Sequence, residues 1–396
     1  MTSDHPTSLK HKFVTKLLLV SLCFLCGSSS AQDFKTVHPG IEYAHVDHKL
    51  GNDPVKINLL RLDLTKVRLD VHHALDAAIG VEVTSSIATR HKALAGINAG
   101  FFRLDTSIFA GDPQGILQID GEMLSEPDRD RVALFIMNDL DRTGPDKSGV
   151  RIQHFSVRNF IKIGKSEIDL SGINRERREN EVILYTPSFH RTTLTGTDGV
   201  EIIVRNERVT SILNGSGSTP IPADGYVISA SGMAREKLLA TVSIGRKAGR
   251  RYSFTQKPGD DSMSAFYSSG TTWALAEDIV GGVPQLIKDG KIDITWEKEK
   301  ASKSFAETRH PRTAVAKLGD GKFLMITVDG RQPGVSVGMT LQELADYILS
   351  LGATDAMNLD GGGSTTMYLD GKVVNTPSEK GEERRVSDAI LVTLRK

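Results

Sequence analysis

Apolar residues recur at two different spacings in the second half of this chain and divide it into strands and a helix. Residues 323–328 form a continuous apolar run, which predicts a buried strand. In residues 341–351 leucine, alanine and isoleucine recur at helical spacing, and Thr340 and Glu343 are placed to form a capping box at the start of the helix. Residues 356–360 predict a second strand. Strand, helix and strand together predict a crossover unit, in which functional groups gather where the strands end.

Asp-Gly pairs separate many of the β-rich stretches. They occur at residues 120–121, 198–199, 224–225, 289–290, 320–321 and 370–371. Because Asp-Gly favours the left-handed dihedral angles of type I′ turns, we interpret these pairs as β-hairpins. Residues 67–72 alternate apolar and polar positions, as a half-buried strand does. The pattern as a whole predicts an α+β fold, with hairpin-rich mixed sheets and a few helices.

Residues 1–31 have the pattern of a secretory signal peptide. Three lysines precede a mostly apolar run at residues 17–27, and small residues follow up to Ala31. The apolar run is much shorter than the roughly 20 residues that span a bilayer. We therefore expect cleavage after Ala31, a secreted or periplasmic location and no stable membrane insertion afterwards.

Cleavage at that point also changes the composition. It removes Cys23 and Cys26, the only cysteines, so no disulfide or thiol chemistry is expected. It leaves 46 basic and 48 acidic residues, a net charge of −2, and this balance gives no electrostatic case for nucleic acid as a partner. A homodimer is compatible with this composition. We expect residues 32–80 to add strands to one catalytic domain, residues 81–396.

The strongest candidate site follows the second predicted strand. Asn358 and Asp360 are followed there by Gly361, Gly362, Gly363, Ser364 and Thr365. Successive glycines let the backbone approach a ligand and can direct several amide N–H groups into one concavity, which suits a phosphate. A hairpin bend or bulge is the alternative for any Gly-Gly-Gly taken alone. The polar groups on both sides of these glycines favour a binding site.

Other candidate residues are spread along the chain. Arg312, Arg331 and Arg384 could neutralise a phosphodiester, because the planar guanidinium matches phosphate oxygens in pairs. Asp329 ends the first predicted strand, and Asn98 stands before a glycine turn, where its amide could hydrogen-bond a sugar. A surface ion pair for each arginine and a satisfied turn for Asn98 are the alternatives.

Motifs across most of the chain resemble those of the phosphodiester glycosidase family, whose members remove a sugar from a phosphodiester. They lie at residues 98–102, 185–187, 281–284, 289–290, 310–314, 329–331, 338–341 and 358–366. The chain departs from the family pattern at Ala316, at Arg385 and at Asp388, where the family usually has glycine, proline and asparagine. These departures affect the expected substrate more than the expected reaction.

The resemblance implies a hydrolase that cleaves the anomeric carbon–oxygen bond of a glycosyl phosphodiester in envelope or exopolysaccharide metabolism, with N-acetylglucosamine as one candidate sugar. A phosphate is a good leaving group, so such an enzyme needs less acid assistance than an ordinary glycosidase. We expect either Asp360 or Asp329 to supply the carboxylate, Arg312 to act on the phosphate and Asn358 to orient the substrate. The expected substrate-binding residues are Asn98, Arg331, Gly361, Gly362, Gly363, Ser364, Thr365 and Arg384.

Two other functions are compatible with the same residues. A metal-dependent phosphodiesterase would use Asp329, Asn358 and Asp360 as oxygen ligands and cleave P–O. A non-catalytic envelope glycan-binding protein is the other, but aromatic residues make up only 6% of the chain, which gives few platforms for sugar stacking. No cofactor is expected, although a structural calcium near Asp329 and Asp360 is compatible with the first function.

Overall fold

The computed structural model describes residue 1 and residues 33–128, 130–138, 149–255, 276–379 and 381–395. The expected signal peptide, apart from residue 1, lies outside the described residues. Strands predominate in the described ranges and helices are few. No helix within these ranges is long and apolar enough to cross a membrane.

The strands are numbered in chain order. The first fourteen are β1 (Lys35–His38), β2 (Ile41–Leu50), β3 (Asp53–Leu62), β4 (Val67–His73), β5 (Glu82–Val83), β6 (Ala95–Asn98), β7 (Leu117–Ile119), β8 (Glu122–Ser125), β9 (Val132–Ile136), β10 (Val150–His154), β11 (Ser156–Ile163), β12 (Ser166–Asp169), β13 (Gly172–Ile173) and β14 (Val182–Tyr185). The others are β15 (Gly199–Arg205), β16 (Arg208–Asn214), β17 (Gly225–Ser231), β18 (Ala248–Thr255), β19 (Asp278–Gly281), β20 (Gln285–Lys288), β21 (Lys291–Ile292), β22 (Arg312–Leu318), β23 (Phe323–Val328), β24 (Ala353–Asn358), β25 (Met367–Leu369), β26 (Lys372–Val373), β27 (Arg385–Val386) and β28 (Asp388–Leu394).

Four α-helices and two short 3₁₀ turns connect some of these strands in the described ranges. The helices are α1 (Thr84–Arg90), α2 (Gly232–Thr241), α3 (Lys303–Glu307) and α4 (Leu341–Ser350). The 3₁₀ turns are Ala74–Asp76 and Gly362–Ser364, and the second of them lies within the glycine-rich loop.

An eight-stranded sheet carries the predicted crossover unit. Its order is β1-β2-β3-β23-β22-β24-β20-β21. Strand β22 is antiparallel to both β23 and β24, so β23 and β24 run in the same direction on either side of it. Helix α4 makes the connection between them. The strand, helix and strand prediction is confirmed, with β22 inserted between the two strands.

The faces of this sheet pack against different layers. In β23, Phe323 and Met325 belong to the core cluster shared with a five-stranded sheet of order β26-β25-β6-β28-β4. The alternate residues Leu324 and Ile326 pack in a second cluster with α4. Both faces of β23 are therefore buried, which explains its continuous apolar run. In β22 and β24, too, alternate residues face opposite sides of the sheet, and this alternation sets the side on which each site residue lies.

The strands before residue 80 pair with strands near the end of the chain. Strand β3 pairs with β23, and β4 pairs with β28. The other sheets have the orders β10-β9-β19-β7-β8, β13-β14-β17-β15-β16, β12-β11-β18 and β27-β5. The predicted hairpin-rich sheets with few helices are therefore present, with more strand and less helix than the α+β class suggests.

Four of the six Asp-Gly pairs form hairpin turns, namely those between β7 and β8, β20 and β21, β22 and β23, and β25 and β26. The prediction is wrong at residues 198–199 and 224–225, where the glycine begins β15 or β17, because the preceding strand in the chain, β14 or β16, does not pair with it. Pro220 and Pro222 come before the second of these pairs and have no N–H for a sheet. The hairpin between β15 and β16 turns instead at Asn206 and Glu207, both at positive φ.

The capping box of α4 gives a prediction about stability. The Thr340 hydroxyl accepts from the Glu343 amide at 3.1 Å, and the Glu343 carboxylate accepts from the Thr340 amide at 2.9 Å. Thr340→Ala removes one of these bonds and should lower the free energy of unfolding by about 1 kcal/mol, measured by urea titration. Thr340→Ser keeps the hydroxyl and is the matched control. Equal stability of the two variants would contradict a stabilising role for the cap.

Candidate active site

The three glycines after β24 are explained by close packing of the backbone. A Cβ atom at Gly361 would lie 2.8 Å from the Pro311 carbonyl oxygen, which is too close for any side chain. Gly362 has a φ of +63°, a conformation that glycine adopts without strain. A Cβ atom at Gly363 would lie 2.2 Å from the guanidinium of Arg384. The loop is therefore pressed between the start of β22 and an arginine from the C-terminal segment.

This packing changes the expected role of the loop amides. The Gly362 amide donates to the Pro311 carbonyl at 2.9 Å, and the Ser364 amide donates back to the Gly361 carbonyl at 3.1 Å. These two N–H groups therefore do not point to an open concavity, as a nest of several amides would require. The Gly361 amide donates a hydrogen bond to the neighbouring carboxylate of Asp360 and so lowers its pKa. The predicted nest of glycine amides is therefore wrong for Gly362, whose amide is used within the protein, whereas Ser364 is expected to act through its hydroxyl and not through its amide.

Asp360 lies at the entrance of this loop with part of its surface exposed. Burial of the carboxyl among protein atoms raises its pKa to about 7, and the charge of Asp388 adds to the rise. The Ser364 hydroxyl, the Arg384 guanidinium and the Gly361 amide oppose it. A carboxyl group that titrates near neutral pH can exchange a proton at the working pH of most enzymes, as a general acid or base must.

Asn98, at the end of β6, holds the backbone on both sides of the glycine loop. Its amide nitrogen donates to the Asp360 carbonyl at 2.7 Å. Its amide oxygen accepts from the Thr313 hydroxyl at 2.9 Å and from the Thr366 amide at 3.1 Å. The side chain is 1% exposed. The structure therefore places Asn98 as a positioning residue beneath the loop, because its amide is already used by three internal partners.

Arg331 and Arg384 are the arginines that flank the glycine loop. A Cβ atom at Gly362 would lie 3.0 Å from the Arg331 guanidinium, as one at Gly363 would lie close to that of Arg384. Arg384 pairs with Glu379. Arg331 is exposed, makes no ion pair within the described ranges and has a φ of +61°. A left-handed backbone at a non-glycine residue is strained and is found often at functional sites.

Arg312 does not face the loop as the sequence predicted. It is 1% exposed, and its guanidinium donates to three backbone carbonyls, those of Met339, Phe305 and Thr308, at 2.7 to 3.0 Å. No carboxylate of the described residues pairs with it, and burial together with the charge of Arg331 lowers its pKa to about 10. Arg312 therefore joins β22 to the segments around α3 and α4 and places a buried positive charge behind the site.

Asp329 and Asn358 are also occupied by internal hydrogen bonds. The Asp329 carboxylate accepts from the Asn375 side chain at 3.0 Å and from the Thr376 amide, and burial raises its pKa. The Asn358 nitrogen donates to the carbonyls of Val283 and Leu359, both at 2.7 Å. Asp329 thus holds the segment after β26, and this geometry favours Asp360 over Asp329 as the reacting carboxylate.

Two buried oxygen atoms around the loop, Asn358 Oδ1 and Thr366 Oγ1, have no hydrogen-bond partner within the described ranges. The Ser364 hydroxyl differs from them because it interacts with the Asp360 carboxylate and lowers its pKa. The Thr365 hydroxyl lies 3.4 Å from that of Thr313. Buried polar atoms are rarely left unpaired in native proteins. These atoms have less than 1 Å² of exposed surface, so the loop would have to move before water or substrate could pair with them.

Asp388 is the residue of the site that the sequence interpretation missed. It is 1% exposed, and its carboxylate accepts from the Gly100 amide and from the Ser387 hydroxyl. Burial raises its own pKa, while the nearby His73 opposes the rise. The sequence marked Asp388 as a departure from a family pattern, but only the pairing of β28 with β6 brings it to Asp360.

The predicted calcium site near Asp329 and Asp360 has an unfavourable environment. Asp329 accepts hydrogen bonds on both carboxylate oxygens, and Asp360 lies beside positively charged Arg384. Within the described ranges, the cluster of three metal-type side chains lies elsewhere, at His72, Asp76 and His91. The rings of His72 and His91 are stacked at 3.5 Å with an angle of 17°, so a cation cannot lie in both ring planes.

Comparison with known proteins places this site in a family. A family model for phosphodiester glycosidase matches residues 198–393, which include the glycine loop. Bovine N-acetylglucosamine-1-phosphodiester alpha-N-acetylglucosaminidase is 31% identical over 129 residues, 29% of this chain and 24% of the bovine protein. A Bacillus subtilis protein, the uncharacterized SPbeta prophage-derived YomE, is 40% identical over 85 residues, 22% of this chain and 13% of its own length.

A solved structure of a hypothetical protein from Synechocystis has a similar fold. Its TM-score is 0.73 and its sequence identity 23%, over 90% of this chain and 62% of the other. The chain spans less than a quarter of the two curated relatives named above, so the likeness to them is a likeness of this region. The matched region contains Asp360, the three glycines, Arg331 and Arg384. Residues 198–393 therefore form a domain of the phosphodiester glycosidase family.

Proposed function

We propose that this chain hydrolyses the bond between the anomeric carbon of a sugar and an oxygen of a phosphodiester. The observation that carries the proposal is the Asp360 carboxyl, whose pKa is raised to about 7 beside a glycine loop flanked by two arginines. The family domain supplies the reaction class. N-acetylglucosamine is the first sugar to test, because the bovine relative is named for an N-acetylglucosaminyl phosphodiester.

The charges at the site favour cleavage of the bond between the anomeric carbon and the phosphate oxygen. A leaving phosphate carries negative charge, and the guanidinium groups of Arg331 and Arg384 stabilise that charge where it develops. The buried charge of Arg312 adds a positive field from behind the sheet. Because phosphate leaves readily, one carboxylate is sufficient. Ionised Asp360 either deprotonates the attacking water or stabilises the positive charge that develops on the sugar.

The location and the biological role are further parts of the proposal. The signal-peptide pattern at residues 1–31 supports export to the periplasm or the medium. An exported enzyme of this chemistry would meet glycosyl phosphodiesters in envelope or exopolysaccharide glycans.

Labelled water tests which bond breaks. Purified protein is first screened against sugar-1-phosphodiesters, including α-N-acetylglucosaminyl phosphodiesters, and the cleaved substrate is then hydrolysed in ¹⁸O water. We expect unlabelled phosphate by mass spectrometry, because water's oxygen enters the sugar, and activity that survives EDTA. Labelled phosphate with loss of activity on chelation would favour a metal-dependent phosphodiesterase. Binding of glycan with no cleavage of any diester would favour a glycan-binding protein.

The role of Asp360 predicts a pH dependence. If the ionised carboxylate is the active form, kcat should rise with pH through about 7, the pKa of this group. Asp360→Asn should lower kcat by at least about a hundredfold with little change in Tm. Asp388→Asn removes a negative charge that raises the pKa of Asp360, so the acidic limb of the profile should move to lower pH. Asparagine is the usual family residue at position 388, which makes this variant a mild one.

A well-folded Asp360→Asn protein with near-normal kcat would assign the reaction to another group. Asp329→Asn is the matched comparison. It should lower Tm through its contacts with Asn375 and Thr376 and should leave the acidic limb of the profile where it is.

The arginines give a second prediction. Arg331→Lys keeps the charge but loses the paired donors, so kcat/KM should fall about tenfold or more while Tm stays close to the wild-type value. Arg312→Lys should instead lower Tm, because its bonds to the Met339, Phe305 and Thr308 carbonyls are lost. Arg205→Lys, at an exposed ion pair with Asp224, is the control for the substitution itself. An unchanged kcat/KM for Arg331→Lys would exclude it from phosphate binding.

A further inference from the structure

A cleft outside the glycine-loop site has its own group of polar side chains. Its volume is about 700 Å³, and it lies between the segment after β6 and the segments around β8 and β13. The side chains that line it and matter here are those of Arg103, Asp112, Glu126, Glu176, Arg175 and Arg178. We call it the Asp112 cleft.

The carboxyl group of Asp112 is buried, but one of its oxygens has no hydrogen-bond partner among the described residues. It is 9% exposed, and its Oδ1 atom has no hydrogen-bond partner within the described ranges. Burial, assisted by the charge of Glu126, raises its pKa to about 7, and Arg175 and Arg103 oppose the rise. A buried carboxylate that supports only the fold is normally paired or hydrogen-bonded. Asp112 Oδ1 has less than 1 Å² of exposed surface, so a ligand in the cleft would pair with it after a rotation of the carboxyl group.

The charges around Asp112 are balanced. Arg175 pairs with Glu126 and Glu181, and Arg103 pairs with Asp105 and Glu176. Arg178 lines the same cleft and makes no ion pair among the residues that the structure describes. The lining therefore offers hydrogen-bond donors and acceptors side by side. Sugar hydroxyls need both, whereas balanced charges give an anion no net attraction.

The cleft is connected to the glycine-loop site through a short piece of chain. The Ala99 carbonyl accepts from the Asp360 amide at 2.9 Å, and Gly100 donates to Asp388. Three residues further, the Arg103 amide donates to the Asp112 carbonyl at 2.8 Å. Three extended residues span at most about 11 Å, so the backbone of Arg103 lies within that distance of Gly100.

We propose that the Asp112 cleft is a saccharide-binding subsite, which holds the part of a glycosyl phosphodiester that lies beyond the cleaved bond. The link to cleavage rests on the proposed function, but the binding of a neutral saccharide does not. Asp112 accepts from or donates to sugar hydroxyls, and Arg178 donates to them. This function explains why Asp112 is left without a protein partner and why Arg178 is left without a carboxylate.

Binding to the full mature protein tests the subsite without any need for turnover. Saturation-transfer NMR is run with four neutral disaccharides, maltose, cellobiose, N,N′-diacetylchitobiose and mannobiose. We expect at least one to bind, and Asp112→Asn and Arg178→Gln each to weaken it about tenfold, the change that 1.4 kcal/mol produces. Asp224→Asn, in a different cleft, is the matched control and should bind as the wild type does. Inorganic phosphate should not displace the disaccharide.

A kinetic arm connects the subsite to cleavage. The substrates are the diesters of N-acetylglucosamine 1-phosphate with methanol and with the disaccharide that binds. Asp112→Asn should lower kcat/KM about tenfold for the disaccharide diester and leave the methyl diester unchanged. Equal losses for both diesters would overturn the subsite. So would wild-type affinity in both cleft variants, displacement by phosphate, or no binding of any disaccharide.

The experiments can contradict the proposed function without contradicting the saccharide subsite. Disaccharide binding that depends on Asp112 supports the subsite even if the wild type cleaves neither diester, a result that would overturn the proposed function alone. Tm is measured for every variant. Asp112→Asn should not lower it, because the substitution keeps the shape of the side chain and removes a buried charge.

Discussion

The arrangement of the site depends on the side-chain amide of Asn98. This one group bonds the backbone before the glycine loop, the hydroxyl of a neighbouring strand and the backbone after the loop. It therefore connects β6 of one sheet with β22 and the loop after β24 of another. Replacing it by an apolar residue would leave two buried backbone groups unpaired, the Asp360 carbonyl and the Thr366 amide, which costs several kcal/mol. The position of Asp360 is set by this contact, and the glycines allow the loop to lie flat against Pro311.

The arginines near the glycine loop differ in how far they are buried. Arg331 is exposed and Arg384 half-buried, and both lie close to the loop, whereas Arg312 is buried among carbonyl oxygens. The charges of Arg312 and Arg331, together with burial, lower the pKa of His310. The buried arginine costs stability because its charge is desolvated, and bonds to three carbonyls offset only part of that cost. The charge of Arg312 acts on the neighbouring His310 and is itself opposed by the charge of Arg331.

The sequence was sufficient for features that depend on neighbouring residues. Helix α4, its capping box and four of the hairpins were predicted because the signals lie within a few positions of each other. The side of the sheet on which the Arg312 side chain lies was not predictable in this way, because it depends on which surface of the sheet α3 and α4 cover. Asp388 was seen only as a departure from a family pattern. Its nearness to Asp360 comes from the pairing of β28 with β6, nearly 300 residues apart in the chain.

The raised pKa of Asp360 means that the charge of its carboxyl group depends on what is bound at the site. Burial and Asp388 favour the protonated carboxyl in the free protein, and Arg384 favours the ionised one. A bound phosphodiester brings its own negative charge, which favours the protonated carboxyl while it partly neutralises the arginines. In the proposed reaction, the phosphate takes up the electrons of the broken bond and engages the arginines further, while the sugar becomes positive. The fraction of the protein in which Asp360 is already ionised is the fraction that stabilises this developing cation. The stabilisation is thus greatest at the transition state rather than in the bound substrate, which is the condition for acceleration of the chemical step.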